Sequence, residues 1–120
     1  MPKRKKLTIV DLAKKAVEAA SDKQAADIVL LDLHGLASFT DYFVICTADN
    51  PRQLSAIANE VDEELTKAGL KSNHREGQPD SGWMLLDFGD IVVHIFSARQ
   101  RRYYDLEAVW KEAPALVRMQ

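Results

Sequence analysis

A chain of 120 residues, 47% of them apolar and 28% charged, has the length and balance of one soluble globular domain, so neither a disordered polymer nor a second domain is expected. No apolar run is long enough to cross a bilayer, and the opening Met1-Pro2-Lys3-Arg4-Lys5-Lys6 leads into no signal-peptide core, so a cytoplasmic protein without a membrane contact is expected. Of the 16 basic residues four lie at positions 3–6, leaving 12 against 18 acidic residues over the remainder, a net charge of −6. An acidic body does not grip nucleic acid broadly through phosphates; only the basic tail offers an RNA contact, and a minor one.

The first element expected is a helix from about Ile9 to Asp22, with Thr8 as N-cap, Asp11 at the capping-box position and Ile9, Leu12, Ala13, Ala16, Val17 and Ala20 at helical spacing. Asp27 to Leu33 is a near-continuous apolar run of strand length, which predicts a central strand buried on both faces. A short polar connection through Ser38 and Thr40 leads to a second strand, Tyr42 to Thr47. It contains the lone Cys46, which excludes an intrachain disulfide and reads as buried packing. Asn50-Pro51-Arg52-Gln53 starts another helix: Asn50 caps, Pro51 fits the first helical position, and Gln53 returns a hydrogen bond to the cap. Leu54, Ile57, Ala58, Val61 and Leu65 form its apolar stripe and Gly69 ends it. A polar edge strand is expected over Leu70 to Arg75, a loop over Glu76 to Gly82, and a last helix from Arg101 to Trp110, ended near Pro114.

Between that loop and that helix lies the most informative stretch, Trp83 to Phe96. Two runs rich in apolar and aromatic residues flank Gly89-Asp90, a two-residue hairpin turn. With 88 opposite 91, the pairs 86/93 and 84/95 share a face, so Met84, Leu86, Phe88, Ile91, Val93 and Ile95 form an unbroken core surface. The opposite face sets Trp83 against Phe96, Leu85 against His94 and Asp87 against Val92. Either a covering helix satisfies this mixture, or the face is a protein contact. Arg101, Arg102, Tyr103 and Tyr104 follow directly and add the arginine and aromatic anchors that dominate interface energetics. The candidate partner-binding set is therefore Trp83, Leu85, Asp87, His94, Phe96, Arg101, Arg102, Tyr103 and Tyr104.

Catalytic signatures are missing. Gly35 and Gly69 stand alone, with no phosphate-cradling loop after a strand, and His34, His74 and His94 offer no zinc spacing. Asp32, Asp41, Asp87 and Asp90 are the carboxylates a magnesium site would use, but solvated or capping roles account for them. No catalytic, cofactor-binding or metal-binding residue is assigned. The order α-β-β-α-β-β-β-α predicts an α/β (α+β) single domain: a mixed sheet of about five strands covered by helices, spanning residues 8–114, with a basic tail over 1–7 and a C-terminal tail over 115–120.

Four blocks carry a resemblance. Asp27-Ile28 to Asp32 with Gly35, Ser38 and Asp41-Tyr42-Phe43-Val44-Ile45; Arg52-Gln53 with Ala56-Ile57-Ala58; Glu76-Gly77 with Trp83 to His94; and Arg102 to Glu107 with Trp110 resemble, in order, the ribosomal silencing factor family, also called Iojap-like. One departure is Thr47-Ala48-Asp49-Asn50, where the family shows Thr-Gly-x-Ser; Asn50 replaces serine as the cap. The resemblance implies a factor that binds the large ribosomal subunit through its protein fourteen, blocks joining of the small subunit and represses translation when nutrients are short. It also implies a nucleotidyltransferase-like core without the catalytic motif, and homodimers. The rival reading is an enzyme, a nucleotidyltransferase using the acidic residues and magnesium.

Overall fold

The computed structural model describes residues 7–120. The basic residues 1–6, and any RNA contact through them, lie outside the described residues. Helix α1 (Ile9–Asp22) begins on the expected capping box: Asp11 N–H donates to Thr8 Oγ1 (3.2 Å) and Thr8 N–H donates to Asp11 Oδ2 (3.0 Å). Strands β1 (Ala26–Asp32) and β2 (Tyr42–Ala48) follow, and then α2 (Pro51–Lys67), whose first turn is closed by Gln53 N–H donating to the Asn50 side chain (2.8 Å). The Gln53 side chain does not return to the cap. Its oxygen accepts from Asp49 N–H and its amide donates to the carbonyls of Lys23 and Gln24, which ties the start of α2 to the end of α1.

Beyond α2 come β3 (His74–Glu76), a single 3-10 turn at Pro79–Ser81, β4 (Trp83–Asp87), β5 (Ile91–Ser97), α3 (Ala98–Tyr104), α4 (Leu106–Val109) and β6 (Ala115–Met119). The sheet has six strands in the order β3-β4-β5-β2-β1-β6, with β2 and β5 parallel and every other pair antiparallel. Three expectations shift. The third strand sits at 74–76 and not at 70–75. The middle of the sheet is the β5–β2 pair, although β1 is buried on both faces as its sequence predicts. Residues 115–119 are not a tail but an edge strand on β1, which makes the sheet one strand wider than expected.

The hairpin register is the one its alternation predicts, with Trp83 opposite Phe96, Leu85 opposite His94 and Leu86 opposite Val93. Gly89 takes φ +87°, the left-handed conformation that a Gly-X hairpin turn requires at its first position. Met84, Leu86, Phe88, Ile91, Val93 and Ile95 are buried together with Ile28, Leu30, Val44, Cys46 and the stripes of α1 and α2. Both long helices therefore cover one face of the sheet.

The other face is built by parity. Val29 and Leu31 of β1, Phe43 and Ile45 of β2, and Val92 and Phe96 of β5 form a second buried cluster. Among the described residues no long helix covers it. In place of one helix over 101–110 the chain breaks at Asp105, whose φ of +46° ends α3 and starts α4 in a new direction. Leu106, Trp110 and Ala113 then fold over the β1 and β2 end, while the β4 end stays partly uncovered.

Candidate functional site

That uncovered end holds most of the candidate residues. Trp83 is half-buried; its indole lies nearly parallel to Phe96 (centroids 5.1 Å apart, 24°) and packs on Tyr104 at 4.5 Å. Tyr104 meets Tyr103 edge-on at 5.0 Å, and these two tyrosines are 44% and 77% exposed. Leu85 and Trp83 line one wall of a hollow of about 260 Å³, and Tyr104, Ser81, Glu76 and Gly77 complete it. The wall at Gly77 admits no side chain. Its φ is +93°, and a Cβ there would strike the Trp83 carbonyl oxygen, so the loop passes close beside β4 only as glycine.

The structure corrects the placing of Phe96 and His94 among the partner-contacting residues. Phe96 is 1% and His94 4% exposed, so both lie beneath the surface and support the rings that reach it. Asp87 Oδ1 accepts from Gly89 N–H (2.8 Å), a contact that braces the hairpin turn and leaves the carboxylate half-buried. Trp83 Nε1–H donates to His94 Nδ1 at 3.2 Å, and His94 stands edge-on to Phe43 at 4.5 Å. An indole nitrogen only donates, so Nδ1 carries the lone pair and the imidazole proton sits on Nε2. That Nε2 is buried without a hydrogen-bond partner among the described residues. Burial pushes the imidazole down to about 4, so it is neutral at physiological pH.

Arg101 is not a surface anchor either. Its Nη1 donates to the Asp27 carbonyl (2.6 Å) and to Thr47 Oγ1 (2.8 Å), and its Nε pairs with Glu107 (2.9 Å). One guanidinium thus fastens α3 to the ends of β1 and β2 and to α4. Arg101→Met keeps the stem but leaves these acceptors without their donor. It should cost about 1–3 kcal/mol of folding free energy and loosen Tyr103 and Tyr104; urea unfolding and proteolysis at residues 103–105 check this. Arg102 remains exposed beside Tyr103.

Sequence reasoning missed Phe39, 59% exposed in the connection read as polar, which packs against Phe43 and Trp110 at 6.0 Å each. Rings in contact therefore run from Tyr103 through Tyr104, Trp83, Phe96, His94 and Phe43 to Phe39 across the face. A phenylalanine inside a serine- and threonine-bearing loop was the available signal.

Groups with catalytic chemistry are engaged elsewhere. Cys46 is fully enclosed and burial pushes its thiol up to about 12, far from a reactive thiolate. His34 bridges Asp32 (2.7 Å) and Asp41 (3.4 Å) at the exposed end of β1. Among the described residues no group of three His, Cys, Asp or Glu side chains is arranged to hold a metal ion. No helix among them is long and apolar enough to cross a membrane.

A face of packed rings with two protruding tyrosines has the chemistry of a macromolecular contact. The family model described as ribosomal silencing factor during starvation matches residues 6–120. The chain belongs to this family. Ribosomal silencing factor RsfS of Bacillus subtilis is 40% identical to it over 103 residues, 86% of this chain and 87% of the relative. The chloroplastic protein Iojap of Zea mays is also 40% identical, over 87% of this chain but only 43% of its own. A Chromobacterium violaceum crystal structure superposes with a TM-score of 0.84 at 38% identity, covering 88% of each chain. The silencing-factor fold is therefore the mixed sheet described above, and the family's names are those of a regulatory factor and not of an enzyme.

Proposed function

We propose that this silencing factor acts in the cytoplasm by binding the large ribosomal subunit through its protein fourteen, so that the small subunit cannot join and translation is repressed when nutrients are limiting. The observation that carries the reading is the half-open ring face: Trp83 and Leu85 beside a hollow, with Tyr103 and Tyr104 protruding from α3. A few anchors, enriched in tryptophan, tyrosine and arginine and fully desolvated on binding, carry most of the energy of protein interfaces. A factor that works by occupying space needs affinity and bulk but no reacting group. The acidic body suits a basic ribosomal protein better than bare rRNA. A second copy of this chain is the competing occupant of the face, as expected of a homodimer.

Co-sedimentation with separated subunits tests this reading. The factor should travel with large subunits only and should slow the light-scattering rise when small subunits are added. Equal binding to both subunits, or an unchanged association rate at excess factor, would refute it. Magnesium-dependent nucleotidyl transfer abolished by Asp87→Ala would favour the enzyme instead.

A further inference from the structure

The row containing His94 presents a conflict. On the open face its neighbours across the strands are Ile45 of β2 and Leu85 of β4, and along β5 they are Val92 and Phe96. An apolar side chain at that position would pack without a desolvated imidazole and without the orphaned Nε2–H. What an apolar residue cannot offer is an acceptor for the Trp83 indole, and the structure shows Nδ1 in that role at 3.2 Å.

We propose that His94 is the positioning residue of the ring face: by accepting the Trp83 indole N–H it locks the indole flat against Phe96, in the orientation that completes the hollow with Tyr104 for the partner. This rests on the reading of the ring face as the partner-binding surface. The physical chain is short. Trp83 is half-buried, stacked on Phe96 and otherwise packed on the partly exposed Tyr104, so packing alone leaves its ring torsions loosely held. An indole N–H prefers a partner to none. With Nδ1 present the nearest acceptor lies beneath the ring, and the indole stays down. Without it the acceptor of choice is water, and the indole turns away from Phe96 and Tyr104. The interface then has to order a mobile ring on binding, a cost that appears as lost affinity. His94 itself touches no partner, since 4% exposure leaves it no contact area.

The test uses the full chain carrying Trp110→Phe, which leaves Trp83 as the only tryptophan. His94→Phe keeps a ring of similar size and removes the acceptor. His94→Asn places its Oδ1 close to where Nδ1 stands and restores the acceptor. With His94→Phe the Trp83 emission should shift to the red, acrylamide quenching should rise, and large-subunit affinity should fall at least about tenfold, with the melting temperature held. Return of emission, quenching and affinity toward the parent in His94→Asn, even at a lower melting temperature, marks positioning and not packing. Unchanged emission in His94→Phe, or equal losses in both variants, overturns the proposal. If Trp83→Ala leaves large-subunit binding intact, the reading of the face fails and carries the proposal down with it. If Trp83→Ala loses binding while His94→Phe keeps it, the face stands and only the role of His94 is wrong. Should His94→Phe not fold, imidazole nitrogen NMR of the unaltered chain decides: a proton found on Nδ1 overturns the proposal, because a protonated Nδ1 cannot accept.

Discussion

Phe96→Ala should lower stability by about 3–5 kcal/mol, whereas Tyr104→Ala, one ring away, should leave stability near normal and weaken large-subunit binding at least about thirtyfold. The two side chains belong to the same ring row but meet different surroundings. Phe96 is among the largest fully buried side chains, held between Thr47 of β2, Trp83 of β4 and His94 on its own strand. Removing it leaves a cavity under Trp83 that the strands cannot close. For a chain of this length that loss lowers the melting temperature by roughly 10–20 °C. Tyr104 is 44% exposed and meets the core through Trp83 at 4.5 Å and, more distantly, Phe96 at 6.4 Å, so it contributes little to folding, but truncating an exposed aromatic anchor at the centre of an interface costs about 2 kcal/mol of binding. Trp83→Ala is a poorer discriminator. Trp83 is both stacked on Phe96 and hydrogen-bonded to His94, so its removal lowers melting temperature and affinity together. Thermal melting beside subunit co-sedimentation decides between the roles. Equal melting temperatures for the Phe96 and Tyr104 variants would show that the ring row is not layered into foundation and contact.

That layering explains how far the sequence could be read. The hairpin register was legible because alternation has a period of two and Gly89-Asp90 allows one short turn; a single-residue slip would have put Leu86 and Val93 in water. Thr8, Asp11 and Asn50 announced their helices because a cap is a local hydrogen bond. The break at Asp105 was not legible, since the apolar spacing of Tyr103, Leu106 and Trp110, at i, i+3 and i+7, continues through it and a left-handed aspartate carries no local mark. β6 was hidden for a related reason. Ala115-Leu116-Val117-Arg118-Met119 is too short and too mixed to be told from a frayed terminus until β1 is found with its outer edge free. For the site, residue types were readable and depth was not. Whether His94 and Phe96 are surface or foundation depends on where Leu106, Trp110 and Ala113 cross the sheet, and Arg101 finds its acceptors 74 and 54 residues away in the chain.

Acid should reveal His94 in the stability of the whole domain. Burial holds its imidazole at about 4, while the unfolded chain titrates near the ordinary 6.5. Above 6.5 the ring is neutral in both states and contributes no pH dependence. As pH falls from 6.5 toward 4 the unfolded chain takes up a proton that the folded chain refuses, so stability declines by up to about 1.4 kcal/mol per pH unit, about 3 kcal/mol in all. His34 acts with the opposite sign. Its hydrogen bond to Asp32 raises its pKa, so protonation favours the folded state, and that gain is already complete once pH has dropped below the unfolded value of 6.5. Asp32 is held below its ordinary 3.8 by the His34 backbone N–H, and what it contributes is lost only as pH falls beneath that value. The window between 6.5 and 4 therefore isolates the buried ring from both. Urea midpoints measured from pH 7 to about 4.5 should slope steeply for the parent chain, and the part of the slope due to His94 should vanish in His94→Phe. Parallel curves for the two proteins would mean that the folded chain protonates this ring as readily as the unfolded one, which is incompatible with an Nδ1 occupied by the indole of Trp83.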